Sequence, residues 1–240
     1  MDDYELGEVL GRGAFGAANK VTRKSDGHVF AVKKVSIEAM PESEQKETKM
    51  EVLVMKKISE LCEHPNIVAY FDSFMEVETK TLCIVMEFAD AGALSDLVRD
   101  AKATGDVLPL GQVRRLFAQL TLAVGAMHAV KGPGGEPTPI LHRDLKTQNV
   151  FLKHVPGSAG LLDVKLGDFG LSKPLRQHEM AKSIVGTPYN LSAELCQGLP
   201  YGPPTDVWAL GCVLYEISTL RHAFEGSSLP GLVGKILKGD

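Results

Sequence analysis

His142-Arg143-Asp144-Leu145-Lys146-Thr147-Gln148-Asn149, followed downstream by Asp168-Phe169-Gly170, is the stretch on which the reading of this chain turns. Asp144 is a carboxylate able to orient and deprotonate a hydroxyl. Asn149 and Asp168 are oxygen donors able to hold magnesium, and Lys146 can neutralise charge on a migrating phosphoryl group. Either string alone is weak evidence, because Asp-Phe-Gly occurs by chance and His-Arg-Asp can be an ordinary loop. In this order, and with the segments around them, they supply what moving a phosphoryl group from ATP requires.

The bulk properties are permissive. The chain has 240 residues, 44% hydrophobic and 23% charged, which allows one large domain or two lobes with enough core to fold unaided. A net charge of -4 gives no electrostatic reason to expect nucleic acid or an anionic membrane as partner. Cys62, Cys83, Cys196 and Cys212 lack metal-ligand spacing and read as reduced thiols of a cytoplasmic protein. Met1-Asp2-Asp3-Tyr4-Glu5 is acidic with no apolar run behind it, which argues against a secretory signal. The apolar stretch Leu116 to Val130 is interrupted by Gln119, Gly125 and His128, and reads as a buried helix.

Outward from the two motifs, the composition divides the chain. Tyr4 to Leu10, Ala17 to Thr22 and His28 to Val35 alternate and are separated by glycine-bearing turns, a strand-turn-strand rhythm. Pro41, with Glu42 and Glu44, starts a helix expected to run to about Cys62 and stop before His64-Pro65. Ile67 to Phe74 and Thr81 to Phe88 read as two further strands. Beyond Ala89-Asp90-Ala91-Gly92, the segments Leu94 to Asp100, Leu110 to Val130 and Thr205 to Leu220 are helical by period and length. The expected boundary therefore separates residues 1–88 from 89–240, an α+β arrangement with a β-rich first part around one main helix. Lys131 to Pro139, rich in glycine and proline, reads as a surface loop.

Gly11-Arg12-Gly13-Ala14-Phe15-Gly16 fits a phosphate-binding glycine pattern. A dinucleotide-binding turn is the rival, but such a turn opens a helix, whereas Ala17 to Thr22 continues as a strand. On the third strand, Lys33 and Lys34 must face opposite sides. A lone strand lysine is ordinarily solvated, yet a partner can be found independently. Glu51 shares a helical face with Met55, Ile58 and Cys62, and a glutamate on an apolar stripe is costly unless it meets a cation. Lys33 is that cation; Glu47, one turn earlier, is the competing carboxylate.

These motifs resemble a eukaryotic protein kinase, and the resemblance covers nearly the whole chain. It implies a bilobal fold, with ATP and Mg2+ in the cleft between the lobes and serine or threonine hydroxyls of protein substrates as acceptors. Gly11, Gly13 and Gly16 would lie over the phosphates, and Leu10 and Ala18 would cover the adenine. Ala31-Val32-Lys33 matches the motif whose lysine, Lys33, pairs with the phosphates and Glu51. Where the pattern has valine, Ala18 thins the roof over the base, worth about 1–2 kcal/mol at most. Met86 would stand at the back of the pocket, backbone groups of Glu87 and Ala89 would bind the base, and Phe151 would form the floor. Asp144 would be the catalytic base, Lys146 its partner, and Asn149 and Asp168 the metal ligands. Thr187, in Gly186-Thr187-Pro188, would hydrogen-bond Asp144 and Lys146. His142 would pack in a column with Phe169, Met55 and Tyr70. Ser183 is the expected activating phosphosite, with Arg143 as its cation.

Lys146 to Leu152, Leu166 to Leu171, Gly186 to Tyr189 and Asp206 to Glu216 are similar to the NIMA-related serine/threonine kinases. That likeness implies roles in cell-cycle, microtubule or cilium regulation, cytoskeletal or centrosomal partners, and a place in the cytoplasm, at the cytoskeleton or centrosome, or in the nucleus. Some relatives use the tyrosine matching Tyr70 to hold an inactive arrangement. Asn190 stands where a second tyrosine is common, and Ala193 where proline is expected. The last helices of the C-lobe are expected to be missing beyond Asp240, with the arginine that pairs with the residue matching Glu194. An unpartnered buried carboxylate there would cost on the order of 3 kcal/mol or more. A nucleotide-binding pseudokinase scaffold is the alternative reading. It is disfavoured because every catalytic position that can be placed holds a working residue.

Overall fold

Two antiparallel sheets of unequal size and a set of helices make up the computed structural model, which describes residues 1–13, 16–38, 40–168, 189–200 and 202–239. The side chains of residues 13, 43, 44, 47, 49–51 and 54 also lie outside that description. In chain order the elements are β1 (Tyr4–Gly13), β2 (Gly16–Arg23), β3 (Val29–Ser36), α1 (Glu42–Leu61), β4 (Tyr70–Glu76) and β5 (Thr81–Glu87). After them come α2 (Leu94–Thr104), α3 (Leu110–His128), β6 (Val150–His154), β7 (Leu162–Leu166), α4 (Ala193–Cys196), α5 (Pro203–Thr219) and α6 (Leu229–Lys238). The large sheet runs β1-β2-β3-β5-β4 and the small one pairs β6 with β7. This is the α+β, bilobal architecture expected.

Alternation on β3 sets the two sides of the large sheet. Phe30 and Val32 join Val21, Cys83 and Val85 in a small apolar cluster. Val35 enters the larger cluster with Leu82, Ile84, Met55 and Ile58, so Ala31 and Lys33, at even spacing from Val35, share that second face. The α1 stripe behaves as its spacing predicts: Met55, Ile58 and Cys62 are buried. Pro41 is the residue before the first helical turn, with the φ of -54° its ring imposes. The larger cluster does not stop at the expected boundary near Phe88. It continues through Leu94, Leu116, Leu120, Leu152 and Leu166 to Val213 and Ile217 of α5.

Two expected bounds are corrected. The fourth strand begins at Tyr70 rather than Ile67, because residues 66–68 leave the large sheet for β7. The Val68 amide donates to Leu166 O at 2.8 Å, and the Leu166 amide donates to Asn66 O at 2.8 Å. Helix α2 runs past Asp100 to Thr104, where Gly105 adopts φ 76° and stops it. At the other end of α2 the Ala93 amide donates to Asp96 Oδ2 at 3.0 Å, a local cap that a pattern of apolar residues does not reveal. The Lys131 to Pro139 loop closes as a narrow pair, with the Thr138 amide donating to Val130 O at 2.9 Å.

Leu120 is 1% exposed in the middle of α3, whereas Leu122 on the same helix is 61% exposed. Leu120→Ala is expected to lower unfolding stability by about 2–5 kcal/mol, and Leu122→Ala by no more than about 0.5 kcal/mol. Urea denaturation of the two variants checks the ordering.

Candidate active site

The segment between α3 and β6 carries the motif read first, and its backbone hangs from one buried carboxylate. Asp206, fully buried in the first turn of α5, accepts the His142 amide at Oδ2 (3.0 Å) and the Arg143 amide at Oδ1 (3.1 Å). His128 Nε2, from the end of α3, lies 2.8 Å from the same Oδ2. Arg143 adopts φ 70°, unusual for a residue with a side chain, and the bond to its amide helps hold that turn. His142 is 1% exposed, and burial pushes its imidazole below the usual histidine range despite nearby carboxylates. A neutral ring fits its contacts. Nε2–H donates to Gly167 O at 3.1 Å, and Nδ1 accepts the Asp144 amide at 3.4 Å. His142 thus joins the two motifs structurally, in keeping with the non-catalytic part expected of it.

Asp144, Lys146 and Asn149 converge. Asp144 Oδ2 accepts from Lys146 Nζ at 2.7 Å and from Asn149 Nδ2 at 2.9 Å, and Asn149 Nδ2 also donates to Asp144 O at 2.7 Å. Across the cleft, Lys33 Nζ donates to Asp168 Oδ1 at 3.0 Å. Lys33 is therefore the cleft-facing lysine of its pair, while the charge of Lys34 acts on Glu76 and Cys83. Asp168 sits at φ 53°. Burial pushes its carboxyl up, but the Lys33 charge and hydrogen bond outweigh burial and hold it below the usual carboxylate range. The charge of Lys146 acts in the same direction, which brings both halves of the site within electrostatic reach of each other.

The donor set suits a hard divalent cation. The Asn149 amide nitrogen is spent on Asp144, so its Oδ1 is the atom left to bind a cation, and the Asp168 carboxylate, held ionised, is the second oxygen donor. Among the described residues no group of three or more His, Cys, Asp or Glu could hold a metal by itself. One amide oxygen and one carboxylate would leave the other positions to phosphate and water, the usual preference of Mg2+.

The base-binding side is assembled by sheet register. Ala18 pairs with Lys33 and Ala31 with Met86, so these four side chains share one face. Leu10 ends up 42% exposed near the mouth, and Gly11 pairs with Ala18. Gly13 and Gly16 pair directly at the tip of the β1–β2 hairpin. Gly16 has a steric reason of its own, because a Cβ there would lie 1.7 Å from Lys34 O. Phe151, on β6, is half-buried against Gly167, where an added Cβ would meet its ring at 3.1 Å. Glu87 ends β5 and Ala89 follows it, and the Glu87 amide donates to Ala69 O at 2.8 Å.

Several of the expected site residues lie outside the described residues: Thr187, Ser183, Phe169 and the side chain of Glu51. The Tyr70 hydroxyl makes a 2.8 Å bond to Ser73 Oγ, so it is directed along its own strand. Glu194 does not meet the condition of burial on which its expected cost depends. Its side chain is only partly buried and accepts from Thr205 Oγ1 at 2.8 Å; burial raises its carboxyl, yet backbone and hydroxyl donors hold it below the usual range. Asn190 Nδ2 donates to Leu145 O at 3.0 Å, tying the substituted position to the catalytic loop. Sequence reasoning missed Asp206 as the anchor of that loop, and it missed Glu216. The latter, 7% exposed on α5, accepts from Thr147 Oγ1 at 3.2 Å, with His222 Nδ1 3.7 Å away. His222 in turn stacks on Tyr189 at 3.9 Å. An acid in an apolar helix was the only signal for either.

The chain matches the model of the protein kinase domain over residues 4–238. It is 41% identical to the serine/threonine-protein kinase Nek8 of Danio rerio over all of this chain and 31% of that protein. It is 42% identical to Nek5 of Homo sapiens over 98% of this chain and 30% of the relative, and 38% identical to human Nek2 over 99% and 51%. The chain therefore spans about a third to a half of the length of these relatives.

Glu216 generates a pH prediction. Burial raises its carboxyl above the ordinary 4.5, with His222 and Thr147 opposing in part. The folded protein then binds this proton more tightly than the unfolded chain. The contribution to stability is full below the unfolded value and is lost as pH rises through the folded value. Glu216→Gln should flatten the fall in stability from pH 4.5 upward, as read from urea midpoints across pH; an unchanged slope would contradict the assignment.

Proposed function

This chain belongs to the protein kinase domain family, with relatives of the NIMA-related type, and on that premise we propose that it phosphorylates serine or threonine hydroxyls of proteins with ATP. The observation that carries the reading is the pair of linked clusters, Asp144–Lys146–Asn149 and Lys33–Asp168, with the charge of Lys146 acting on Asp168.

Each residue has a task that follows from its contacts. Asp144 accepts the proton of the incoming hydroxyl as its oxygen bonds the γ-phosphorus and the bond to ADP breaks. Lys146 and Asn149 pin the carboxylate at Oδ2, which fixes its angle of approach. Lys33, held by Asp168 and in our reading by Glu51, places positive charge on the phosphates. Mg2+, bound by Asn149 Oδ1 and Asp168, would neutralise charge on the β- and γ-phosphates. Gly11, Gly13 and Gly16 let the hairpin lie close above them. Leu10, Ala18, Ala31, Met86 and Phe151 enclose the base, and Glu87 O and the Ala89 amide bind its edge.

Ser183 is proposed as the activating phosphosite with Arg143 as its main cation, and Thr187 as the residue that bonds Asp144 and Lys146. Tyr70 is proposed as the residue that reports or sets the inactive arrangement. Cytoskeletal or centrosomal proteins are the proposed substrates, and the cytoplasm, centrosome or nucleus the proposed location. The NIMA-related likeness supports this, and the four free thiols suit it.

Transfer of labelled phosphate from ATP to serine- and threonine-bearing peptides is the test. Asp144→Asn should slow it by about 10²-fold or more while nucleotide still binds; a wild-type chain that binds ATP and transfers nothing would overturn the reading. Ser183→Ala should lower activity, and full activity together with a phosphate-free loop would remove Ser183 from the account.

A further inference from the structure

Glu87 does more with its side chain than base recognition asks of it. Lys153 Nζ lies 2.7 Å from its Oε1 and Lys165 Nζ 2.8 Å from its Oε2, so each carboxylate oxygen has its own ammonium. Glu87 and Lys165 are each only 14% exposed at the side chain. Burial alone would raise the Glu87 carboxyl, but the two lysines outweigh it and hold the group below its usual range. The same residue closes a ring with Ala69. Its amide donates to Ala69 O at 2.8 Å, and its Oε2 lies 3.5 Å from the Ala69 amide.

The lysines come from the floor of the base pocket. On β6 and β7 Phe151 pairs with Lys165 and Lys153 pairs with Asp163, so Phe151, Lys153 and Lys165 share one face of the small sheet. The surface that offers an aromatic ring beneath the base therefore also reaches up to grip the strand that binds its edge. The next residue is held from the other direction, with Lys20 Nζ 5.1 Å from the centre of the Phe88 ring. Further along, the Ala91 amide donates to Leu152 O at 2.9 Å, which keeps the segment registered on β6.

We propose that Lys153 and Lys165 are positioning residues for adenine recognition. By holding both oxygens of Glu87 they fix the main chain of residues 87–89, whose carbonyl and amide groups meet the edge of the base. The inference rests on the nucleotide-binding part of the reading above. It makes no use of phosphate transfer. Preorganisation is the physical gain: a strand end fixed before binding loses less freedom when the nucleotide arrives. Stability is a poor readout, because replacing a buried ion pair with apolar residues of similar volume is often neutral. Selectivity at the base edge is the direct one.

The test uses the full chain, ATP, and a purine ribonucleoside triphosphate lacking the exocyclic amino group. Lys165→Met is expected to weaken ATP binding about fivefold to tenfold and the analogue by less than about twofold, because only the amino group needs the Glu87 carbonyl in register. Lys165→Arg, which keeps the charge, should restore discrimination. Lys153→Met, at a more exposed position, should shift it in the same direction and carries the test if Lys165→Met does not fold. Equal weakening of both nucleotides, or unchanged ATP affinity in folded variants, overturns the proposal. A wild-type chain that prefers ATP over the analogue yet transfers no phosphate sinks the kinase reading and leaves the clamp standing. Transfer in the wild type with normal discrimination in both methionine variants does the reverse.

Discussion

Asp206 has no exposed surface, and an ionised carboxylate in that position costs several kcal/mol unless donors replace the lost water. The donors are the backbone amides of His142 and Arg143 and the ring of His128, gathered from a loop and a helix more than sixty residues away. The start of α5 contributes too, because the first turn of a helix carries partial positive charge. Since α5 is built into the core through Ala209, Leu210, Val213 and Ile217, the loop bearing Asp144 inherits the rigidity of a core helix. In the role proposed for Asp144, catalysis by positioning requires that its carboxylate not wander, and this contact holds the loop that carries it.

The second constraint is strain. Arg143 and Asp168 both occupy left-handed backbone, at a cost of about 1–3 kcal/mol each. Neither would persist unless its surroundings over-determined it. Asp206 holds the amide of the first, and Lys33 holds the carboxylate of the second. His142 couples them, since its amide goes to Asp206 while its ring donates to Gly167, the residue before Asp168. Protonating that ring would cost it the bond from the Asp144 amide. Its depressed basicity is therefore part of how the site is kept assembled.

The chemistry-bearing residues were legible because they sit in short local strings. Asp144, Lys146 and Asn149 meet within one turn of chain. Strand alternation put Lys33 and Lys34 on opposite faces, and the Ala31-Val32-Lys33 match picked Lys33. Helices α1, α3 and α5 were legible from their apolar period, to within a few residues. What could not be read were long-range partnerships of single acids. Asp206 looks like an ordinary first-turn acid, Glu216 like an acid in an apolar helix, and Glu87 like a strand-end residue known only for its backbone. Nothing in a linear pattern says that Thr147 will meet Glu216 or that Lys165 will meet Glu87. The start of β4 was missed for a related reason. Ile67 and Val68 are as apolar as strand residues, but they bond to β7 instead of β5. The hydroxyl that Thr205 donates to Glu194 was likewise invisible in the linear pattern.

The two sides of the cleft are fastened by different physics. At the back, the larger apolar cluster passes without interruption from Val35, Met55 and Ile58 to Leu152 and Leu166, so burial of nonpolar surface holds the lobes together there. At the hinge the same solution is not available. Side chains that filled the front with apolar contacts would occupy the space a nucleotide needs. Hydrogen bonds and ion pairs are directional and thin, so Glu87 can be fixed by Lys153, Lys165 and Ala69 without filling that space. The sheet that closes the floor with Phe151 is also the sheet that supplies those lysines. The height of the floor and the register of the edge are therefore set by one pair of strands, and a change that tilts β6 against β7 moves both together.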